Sequence, residues 1–394
     1  MGFFSFSKST GAASVPGTKL SEVLKERGYI HQHTGELEEV TDTARTLYWG
    51  VDPSADSMHI GQLMGIVAVR RFIEHGHKVI IIVGGGTGMV GDPGGKSEER
   101  NLLSDEVIKH NTEALRAQFS KLFAGAQFEM INNADWLRRA NLMEFLRDVG
   151  KYFTVNEMIK RDSVRPRIEA PDKSISFTEF SYMLLQAYDY YHLHQEKGCT
   201  LQVGASDQWG NIVSGVELIR RKAGKSAHAF CWPLLVNKST GKKFGKSEGG
   251  AVWLDAKKTS PFEFYQFWFN TTDEDVEEFL LKMTLLPKTD IDAVMQEQRA
   301  NPALRAAQKK LAYEVTLLVH GEAEATKAQN FENVPAISSG KLRDALKDYS
   351  TSELRRLIEQ GGISGKDGKI DSIDYEVTKG EEIKIGKSKV FKAQ

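Results

Sequence analysis

The sequence lacks three features that would place it in a broad class at once. Its only cysteines, Cys199 and Cys231, cannot build a disulfide framework and lack the spacing of metal ligands. No apolar run reaches the ~18 residues of a membrane-spanning helix, so we expect no membrane partner. The formal net charge is −1, so any binding of nucleic acid must be local. These absences favour a cytoplasmic protein, and the 394 residues suggest roughly two or three domains.

A glycine-rich segment is the first feature that points to a ligand site. Residues 84–100 read GGGTGMVGDPGGKSEER and follow the apolar run at 78–83. The β-branched residues of that run predict a strand that is buried on both faces, as in a parallel sheet. A loop that leaves such a strand lies at the carboxyl edge of the sheet, where ligands of open α/β sheets bind.

Two phosphate-binding motifs match this loop only in part. Residues 86–91 fit the pattern G-x-G-x-x-G, but a nicotinamide dehydrogenase would need a helix where Asp92 and a proline follow. A phosphate-binding loop that leads to Lys96 would need glycine in place of Val90. The loop is therefore a polar segment that offers Asp92, Lys96 and Arg100 beside a buried sheet.

Strand and helix patterns alternate along the first part of the chain. The predicted strands are 46–51, 78–83, 128–132, 200–203 and 229–236. The predicted helices between and before them are 20–27, 59–75, 104–123 and 211–222, and the region 135–197 is mostly helical. This alternation, with glycine-rich joints, predicts an α/β fold: a Rossmann-like, doubly wound parallel sheet that carries a helical insertion.

The rest of the chain changes in composition and pattern, which indicates further domains. We expect a helical domain after the sheet and a small α+β domain at the end. The expected division is a disordered N-terminal extension at 1–19, the α/β domain at 20–237, a mobile lysine-rich loop and sheet exit at 238–259, an α-helical domain at 260–320, a linker at 321–338 and the α+β domain at 339–394.

Five motifs occur in a fixed order and resemble those of one enzyme family. They are YWGVDPSADSMHIGQ at 48–62, GDP at 91–93, ISFTEFSYMLLQAYD at 175–189, GASDQWGN at 204–211 and KFGKS at 243–247. The first and last resemble the HIGH and KMSKS signatures of class I aminoacyl-tRNA synthetases, and together they are similar to the bacterial-type tyrosyl-tRNA synthetases. The likeness extends from about residue 20 to the C-terminus, and five ordered motifs leave little room for chance.

This resemblance implies an activity and a set of partners. The family activates L-tyrosine with ATP to tyrosyl-adenylate and pyrophosphate, then transfers the tyrosyl group to the 3′ end of tRNA(Tyr). The resemblance also implies that Mg²⁺ accompanies ATP and that the protein holds no tightly bound metal. It further implies that the helical domain serves the anticodon side of the tRNA and that the protein is a homodimer. The end of the chain, 339–394, resembles a small RNA-binding domain shared with a ribosomal small-subunit protein (S-four-like).

The resemblance also assigns residues to the tyrosine site. Tyr48 and Asp189 match the residues that bind the phenol hydroxyl. A spacing of four and three residues places Tyr182, Gln186 and Asp189 on one helix face. Burying Asp189 without a partner would be costly, which argues against an ordinary core stripe. The remaining matches are to the ammonium group (Asp92, Tyr182, Gln186) and the substrate carboxylate (Gln208).

On the nucleotide side, His59 and Gly61 fall at a predicted helix start, where free N–H groups favour phosphate. Gln62 stands where the family usually has a second histidine. Glutamine can donate a hydrogen bond but cannot become charged, so we expect binding to survive and activation to be the step affected. Trp49 replaces a usually small residue near the ribose. The other positions that the resemblance assigns to ATP are Asp52, Ser54, Asp207, Lys243 and Lys246.

The catalytic cations implied by the resemblance lie on two loops, and His59 completes the catalytic set. Lys243 and Lys246 suit a clamp that closes over pyrophosphate in the transition state. Lys96 and Arg100 match a second basic pair that faces the pyrophosphate. If the lysines only formed a solvated basic loop, replacing them by alanine would cost no activity.

Three other interpretations stay open at this point. Gln62 is compatible with a non-catalytic RNA-binding paralogue that keeps the fold. A nicotinamide dehydrogenase would bind NAD, although its helix is missing from the pattern. Tryptophan could replace tyrosine as the substrate, whereas the pair Tyr48 and Asp189 favours a phenol. Tyrosine-dependent exchange of pyrophosphate with ATP, compared with tryptophan and phenylalanine, separates these possibilities.

Overall fold

The computed structural model of the chain describes residues 18–94, 103–161, 164–170, 174–236, 244, 251–331, 334–386 and 389–394. Nearly all of the expected extension at 1–19 lies outside these ranges, and so does most of the expected loop at 238–250. The chain divides into two compact units, Met1–Ala251 and Val252–Gln394. Within the described ranges, the helices are all too short or too polar to cross a membrane.

A six-stranded sheet organises the first unit. Its strands in chain order are β1 (Gln32–His33), β2 (Thr46–Val51), β3 (Lys78–Val83), β4 (Phe128–Asn132), β5 (Cys199–Ala205) and β6 (His228–Trp232). The spatial order is β1-β6-β5-β2-β3-β4; β1 is antiparallel to β6, and all other neighbours are parallel. The chain runs outward from β2 to β4 and then crosses to β5. The strand order therefore reverses between β2 and β5, where ligands of such sheets bind.

This sheet confirms the predicted α/β fold. Strand β3 buries all of its residues except Lys78, as its β-branched run predicts. The last predicted strand, 229–236, was too long at its end, because β6 stops at Trp232. Pro233 follows, and proline has no N–H to donate to the next strand. The two-residue strand β1 carries no alternating pattern that sequence reasoning could detect.

Helices cover the sheet and form the insertion. The helices of this unit are α1 (Leu20–Glu26), α2 (Leu37–Thr41), α3 (Leu63–Glu74), α4 (Asp105–Leu122), α5 (Ala134–Leu137), α6 (Leu142–Asp148), α7 (Val155–Met158), α8 (Arg165–Glu169), α9 (Phe177–Lys197) and α10 (Trp209–Ala223). Helix α9 begins at the N-cap Ser176, whose side chain accepts from the Glu179 N–H, and it ends at Gly198 with φ 62°. Side chains that cap free N–H groups and glycines that adopt left-handed φ are the usual helix boundaries.

A buried ion pair joins the insertion to α9. Nη1 of Arg167 on α8 lies 2.7 Å from a Glu179 carboxylate oxygen, and the two side chains are 6% and 2% exposed. The Arg167 guanidinium also donates to the Ser174 carbonyl. Removing either charge would leave the other one buried and unpaired, so this contact fixes the position of α8 against the start of α9.

Trp49, which was singled out in the sequence, packs between the sheet and the helices. It is 6% exposed, and its ring makes edge contacts with Phe119 and Trp232 at centroid distances of 5.7 and 6.1 Å. Helix α3 passes this aromatic cluster at Gly65. A Cβ atom added there would lie 2.8 Å from Trp49 Cζ2 and 3.0 Å from Trp232 Cζ2. The large indole at position 49 therefore requires glycine at position 65.

Five helices form the first part of the second unit: α11 (Pro261–Phe269), α12 (Val276–Met283), α13 (Lys288–Ala300), α14 (Ala306–His320) and α15 (Glu322–Gln329). Helix α11 begins with a capping box between Ser260 and Glu263. Helix α15 corrects the expectation of a linker at 321–338. Its polar composition concealed a helix, but Ala325 and Ala328 are fully buried, because small side chains let it approach its neighbours closely.

A small α+β fold completes the second unit. Its core consists of Leu342, Leu354, Ile363, Ile383 and other apolar residues. Helices α16 (Leu342–Ala345) and α17 (Thr351–Glu359) accompany a five-stranded sheet of order β10-β9-β12-β13-β7 and a pair of β11 with β8. These strands are β7 (Ala336–Ile337), β8 (Gly340–Lys341), β9 (Ile363–Gly365), β10 (Gly368–Lys369), β11 (Glu376–Val377), β12 (Glu382–Ile385) and β13 (Lys389–Ala393).

Glu381 is a buried carboxylate that holds the turns of this small fold together. Its side-chain oxygens accept from the backbone N–H groups of Lys366 and Thr378 and from the hydroxyls of Tyr375 and Thr378. Burial alone would raise the pKa of Glu381, but these donors outweigh it and lower the pKa to about 2. The ionised form is therefore the one that the fold stabilises.

We predict that Glu381→Gln lowers the free energy of unfolding by about 2–3 kcal/mol at pH 7, because an amide offers one acceptor where the carboxylate serves four donors. The pKa of Glu381 is lower in the folded state than its ordinary value of 4.5. Its stabilisation is therefore present above about pH 5 and is lost as the pH falls toward 2. Urea unfolding of the wild type and of Glu381→Gln, from pH 7 to pH 3, measures the difference in their unfolding free energies at each pH. Glu382→Gln, at an exposed neighbour, is the control, and a pH-independent difference would contradict the prediction.

The packing of Trp49 generates a second prediction. Gly65→Ala should destabilise the protein by about 1–3 kcal/mol, because the new methyl group overpacks the aromatic cluster. Combining it with Trp49→Phe should cost about 1 kcal/mol less than the sum of the two single changes, because the smaller ring releases that space. Urea unfolding measures both. The control is Gly150→Ala, whose new Cβ would meet nothing nearer than 3.9 Å. If the losses in unfolding free energy from Gly65→Ala and Trp49→Phe simply add in the double variant, the expected overpacking between these two positions is excluded.

Candidate functional site

Polar side chains gather where the parallel strands end. Asp52 directly follows β2, Thr87 lies in a 3-10 turn at Thr87–Met89 after β3, Asn133 directly follows β4, and Gln208 ends a 3-10 turn after β5. Helix α9 runs beside this edge and supplies further polar groups. Because the carboxyl ends of parallel strands meet at one edge, residues far apart in sequence form a single site.

At one end of the site lies the buried carboxylate of Asp189. It is 3% exposed, and each of its oxygens accepts one hydrogen bond from the protein. The Asn133 amide donates to Oδ2 at 2.8 Å, and the Trp136 indole N–H donates to Oδ1 at 2.7 Å. Burial raises the pKa of Asp189 to about 7, although both donors act to lower it. Each carboxylate oxygen has a second lone pair, so the group can still accept a hydrogen bond from a ligand.

Tyr48 of β2 is buried close to Asp189. Its ring packs edge-on against the Tyr190 ring, with the centroids 5.4 Å apart. Its hydroxyl donates a long hydrogen bond of 3.4 Å to the backbone carbonyl of Gln186. Burial, followed by the charge of Asp189, raises the pKa of Tyr48 well above its ordinary value. Tyr48 therefore stays neutral, and its hydroxyl can exchange the weak contact for a better partner.

A second group of carboxylates lies at the other end of the site. The Tyr182 hydroxyl donates to Asp52 Oδ2 at 2.8 Å, and the Thr87 hydroxyl donates to Asp52 Oδ1 at 2.7 Å. Burial and the charges of Asp52 and Asp92 raise the pKa of Tyr182 well above its ordinary value. The two carboxylates, Asp52 and Asp92, create a region of negative potential that suits a cationic ligand group.

Asp92 connects the glycine-rich loop to the region after β5. The Gln208 amide donates to Asp92 Oδ2 at 2.6 Å, and Asn211 on α10 donates to Oδ1 at 3.4 Å. Asp92 also accepts from the Gly94 N–H, and its side chain is 7% exposed. The two predicted site residues Asp92 and Gln208 therefore touch each other directly, although they are far apart in sequence.

Glycines after β3 leave room for the side chains of this polar network to pack against the loop backbone. A Cβ at Gly84 would lie 2.2 Å from Asp52 Oδ1 and 2.3 Å from Thr87 Oγ1. A Cβ at Gly85 would lie 2.5 Å from Asn132 Oδ1. Real Cβ atoms do not approach so closely, so these glycines serve the packing of side chains against the loop. In the described part of the loop after the 3-10 turn, residues 90–94, no α-helix begins, as the failed dinucleotide motif indicated.

His59 and Gln62 form a reciprocal cap on the 3-10 turn Ile60–Gln62, which leads into α3. His59 Nδ1 accepts from the Gly61 N–H at 3.0 Å, while Gln62 Oε1 accepts from the His59 N–H at 2.9 Å. Gly61 is exposed, so a ligand can approach the backbone at this point. Gln62 therefore has a structural role that needs an acceptor and no charge.

The structure brings together most of the predicted site residues that it describes. Tyr48, Tyr182, Gln186 and Asp189 share one region, and Ser54 is exposed beyond β2. Asp207 lies in the turn between β5 and α10. Four predicted cations lie outside the described residues: Lys96, Arg100, Lys243 and Lys246. Phe244, between the last two, is buried, and its N–H donates to the Leu235 carbonyl at 2.9 Å.

Sequence reasoning missed Thr87, Asn133 and Trp136. Asn133 directly follows a predicted strand, as Asp52 does, so its position at the carboxyl edge was a usable signal. Trp136 has no comparable signal, because an aromatic residue in a helical region is ordinarily a core residue. Across the described ranges, no three His, Cys, Asp or Glu side chains are grouped so that they could hold a metal ion.

Comparison with known proteins assigns the chain to a family. A family model described as tRNA synthetases class I (W and Y) matches residues 41–333. A tyrosine–tRNA ligase from Roseiflexus castenholzii (strain DSM 13941 / HLO8) is 46% identical, with 88% of this chain and 90% of that protein covered.

Solved structures agree with this assignment. A C-terminally truncated mitochondrial tyrosyl-tRNA synthetase from Aspergillus nidulans has a TM-score of 0.72 and 34% identity, covering 80% of this chain and 93% of that one. A tryptophanyl-tRNA synthetase from Plasmodium falciparum, at 14% identity and a TM-score of 0.56 over 79% of this chain and 86% of that one, shares the fold alone. The chain therefore belongs to the tyrosine–tRNA ligases, within the class I aminoacyl-tRNA synthetases.

Proposed function

We propose that this chain activates L-tyrosine with ATP and transfers the tyrosyl group to tRNA(Tyr). In the first step a tyrosine carboxylate oxygen attacks the α-phosphorus of ATP, the bond to the bridging oxygen breaks, and pyrophosphate leaves. In the second step a hydroxyl at the 3′ end of the tRNA attacks the tyrosyl carbonyl, and AMP leaves. Neither step needs a covalent bond to the protein, so its contribution is alignment and charge stabilisation.

The observation that carries this proposal is the arrangement of polar groups along α9. Asp189 and Tyr48 are buried together at one end, where they can bind a phenol hydroxyl. Tyr182 lies two helical turns away, beside Asp52, where an ammonium group finds negative charge. Gln186 lies between them on the same helix face. A ligand with a phenol at one end and an ammonium group at the other satisfies both.

This arrangement favours tyrosine over its closest competitors. Phenylalanine lacks the hydroxyl, so it would leave Asp189 and Tyr48 buried without a ligand partner; tyrosine–tRNA ligases are themselves a standard example of this kind of rejection. Tryptophan has an N–H in a different place and a larger ring. The buried Asp189 and the Tyr48 hydroxyl therefore favour a ligand with a phenol at this end of the site.

The nucleotide would bind at the carboxyl edge near the start of α3. Gly61 is exposed in the turn before α3, so the phosphates of a nucleotide would approach the backbone there and would compete with His59 Nδ1 for the Gly61 N–H. The roles of Lys96, Arg100, Lys243 and Lys246 as a clamp on pyrophosphate remain part of this proposal, as do the nucleotide contacts of Asp52, Ser54 and Asp207. The buried Phe244 would anchor the segment that carries two of these lysines. Mg²⁺ would arrive with ATP as part of the substrate.

The C-terminal fold would contact tRNA. Lys384, Lys389 and Lys392 are exposed on adjacent strands β12 and β13, and no acidic residue follows Glu382 in the sequence. A local group of lysines binds phosphate backbone without requiring a positive net charge on the whole protein. Helices α11–α14, which cover the predicted domain at 260–320, would serve the anticodon side of the tRNA. We propose a cytoplasmic location, where ATP and tRNA are both present.

We also propose a homodimer that forms through the helical insertion. Among the described residues, six of the eleven exposed large hydrophobic side chains lie between 142 and 177, and Phe177, Met143 and Leu142 are 77%, 71% and 68% exposed. Monomeric proteins seldom leave large apolar groups concentrated in one region without a partner. A second copy of the chain is the occupant that the family relationship favours.

We predict that the purified protein exchanges pyrophosphate with ATP when tyrosine is present. The value of kcat/KM for tyrosine should exceed that for phenylalanine by at least about 10- to 100-fold, because phenylalanine would leave the buried Asp189 carboxylate without a hydrogen bond from the ligand. Tryptophan should support no measurable exchange. Absence of tyrosine-dependent exchange would instead favour a non-catalytic paralogue, and binding of NAD would favour a dehydrogenase.

A lysine variant separates catalysis from binding in the same assay. Lys246→Ala should lower kcat by about 100-fold, because a charge that stabilises the transition state is lost, while the tyrosine Kd changes little. The exposed Lys257 provides the matched control, since Lys257→Ala removes an equal charge elsewhere. Equal activity in the two variants would mean that the loop is only a solvated basic segment.

The proposed dimer generates a further prediction. Light scattering should give twice the chain mass of 44.0 kDa. Phe177→Glu should shift the protein toward the monomer, because a charge placed in an apolar interface loses its hydration. Leu304→Glu serves as the control, because Leu304 is 49% exposed in the second unit. A wild-type protein that remains monomeric at high concentration would disprove the homodimer.

A further inference from the structure

The loop that joins β2 to the turn before α3 carries residues that the proposed function assigns to the nucleotide. Residues 52–58, which the structure describes throughout, belong to no helix or strand. Ser54 is exposed in the middle of this loop, and His59 follows its end. A loop without a regular ladder of backbone hydrogen bonds keeps one conformation only when other parts of the protein hold it. The residues that hold it are therefore candidates for control of nucleotide binding.

Helix α4 carries two amides on its buried face. Ile108, Leu115 and Leu122 are buried and form one stripe of this amphipathic helix. Asn111 and Gln118 fall in the same stripe, seven residues and thus two helical turns apart. Asn111 is buried and Gln118 is half-buried. Amides among the apolar residues of such a stripe are costly unless polar partners lie opposite them.

Both amides find their partners on the loop. Nδ2 of Asn111 donates to the Pro53 carbonyl at 2.9 Å, at the beginning of the loop. Nε2 of Gln118 donates to the Ser57 hydroxyl oxygen at 2.7 Å, and Oε1 of Gln118 accepts from the Met58 N–H at 2.9 Å. One helix therefore holds the loop at both of its ends.

The burial of the loop follows this attachment. Pro53, Ser57 and Met58 are buried, whereas Ser54 between them is exposed. The Ser57 hydroxyl donates its one hydrogen to the Met58 carbonyl at 2.8 Å, so it must accept from Gln118. Fixed ends and an exposed middle leave the centre of the loop open to a ligand.

Helix α4 is a firm support because it is packed against the sheet next to Gln118. Phe119 is fully buried, and its ring makes an edge contact with Trp49 of β2 at a centroid distance of 5.7 Å. The start of the loop also touches the glycine-rich segment, since a Cβ at Gly88 would lie 3.0 Å from Pro53 Cδ. The loop is thus tied to two neighbouring parts of the fold.

We propose that Asn111 and Gln118 are positioning residues for the nucleotide, which hold the 52–58 loop in the conformation that presents Ser54 and His59 to ATP. They act through the loop, and neither needs to touch the reacting atoms. This inference rests on the proposed function, because it assumes that the loop contacts ATP.

The tyrosine side of the site has supports of its own. Asp52 accepts from the hydroxyls of Thr87 and Tyr182, and these bonds do not involve α4. Asp189 lies on α9. Loosening the loop should therefore weaken the binding of ATP and leave the binding of tyrosine nearly unchanged. A general loss of stability would not separate the two ligands in this way.

The size of the effect follows from the population of the held loop. Without the Gln118 amide, the Met58 N–H would lose its acceptor in a buried place, so other loop conformations would become populated. The apparent Kd for ATP equals the intrinsic Kd divided by the fraction of molecules whose loop is ready to bind. If that fraction falls to about one tenth, the Kd rises about 10-fold.

The experiment measures Kd for ATP and for tyrosine by equilibrium dialysis, together with pyrophosphate exchange, on full-length proteins. Gln118→Met and Asn111→Leu keep the approximate size of each side chain and remove the amide. We expect Kd for ATP to rise about 10-fold in Gln118→Met and about 3- to 10-fold in Asn111→Leu. Kd for tyrosine should change less than about threefold in both, since no contact on that side is removed.

Ser57→Ala tests the link itself, because it removes the hydroxyl that accepts from Gln118. It should raise Kd for ATP by about threefold, and it should add less than this to Gln118→Met, because both changes break the same hydrogen bond. The matched control is Thr112→Val. Thr112 is 3% exposed on the same helix, and its hydroxyl has no hydrogen-bond partner among the described residues, so Kd for ATP should not change.

The outcomes separate this inference from the proposed function. If the wild type shows no tyrosine-dependent exchange, the proposed function fails and this inference fails with it. If the wild type is active but Gln118→Met keeps its Kd for ATP, or loses affinity for ATP and tyrosine equally, only the inference is overturned. Should Gln118→Met fail to fold, Asn111→Leu and Ser57→Ala decide. Weaker binding of ATP alone in both supports the inference, and an unchanged Kd for ATP in either overturns it.

Discussion

The burial of an ionisable carboxylate at Asp189 is the constraint on which the rest of the site depends. Removing such a group from water is costly, and among the described residues its two hydrogen-bond donors, Asn133 and Trp136, are neutral. Two neutral donors compensate in part, yet burial still raises the pKa of Asp189 to about 7. The protein thus retains an acceptor whose remaining capacity a phenol can fill. Under the proposed function, the same burial that destabilises the carboxylate would make it selective for a ligand that donates a hydrogen bond.

The fold makes this arrangement possible by bringing strand ends together. Asp52, Thr87 and Asn133 each follow a different parallel strand, and the reversal of strand order between β2 and β5 opens the edge at which they meet. Helix α9 lies against this edge and adds Tyr182 and Asp189. The sheet therefore contributes a rigid frame, while the loops after its strands contribute the chemistry.

Much of the fold could be predicted from the sequence because its signals are local. The apolar run of β3 and the cap of α4 at Ser104 each depend on neighbouring residues, and both elements were placed correctly. Helix α15 was missed because alanine and charged residues give no strong apolar stripe. The two-residue strand β1 was missed because its only support is its pairing with β6.

The candidate site was predictable only where a family motif marked it. Asp52, Asp92 and Asp189 lie within such motifs, and the structure places them in a shared polar network. Asn133 donates to Asp189, which is 56 residues away in sequence, so no local pattern reveals the contact. The lysines of the KFGKS motif, by contrast, were assigned by resemblance, and their roles depend on a bound nucleotide.

Helix α9 has a geometric consequence for the size of the ligand. Tyr182 and Asp189 are separated by seven residues on one continuous helix, which corresponds to about 10 Å along its axis. A helix cannot stretch to suit its ligand, so the two anchoring points stand at a fixed separation. Amino acids with shorter side chains can reach one anchor but not both. If Tyr182 and Asp189 bind the substrate as proposed, the helix therefore sets the length of the amino acid that fits, independently of the chemistry at either end.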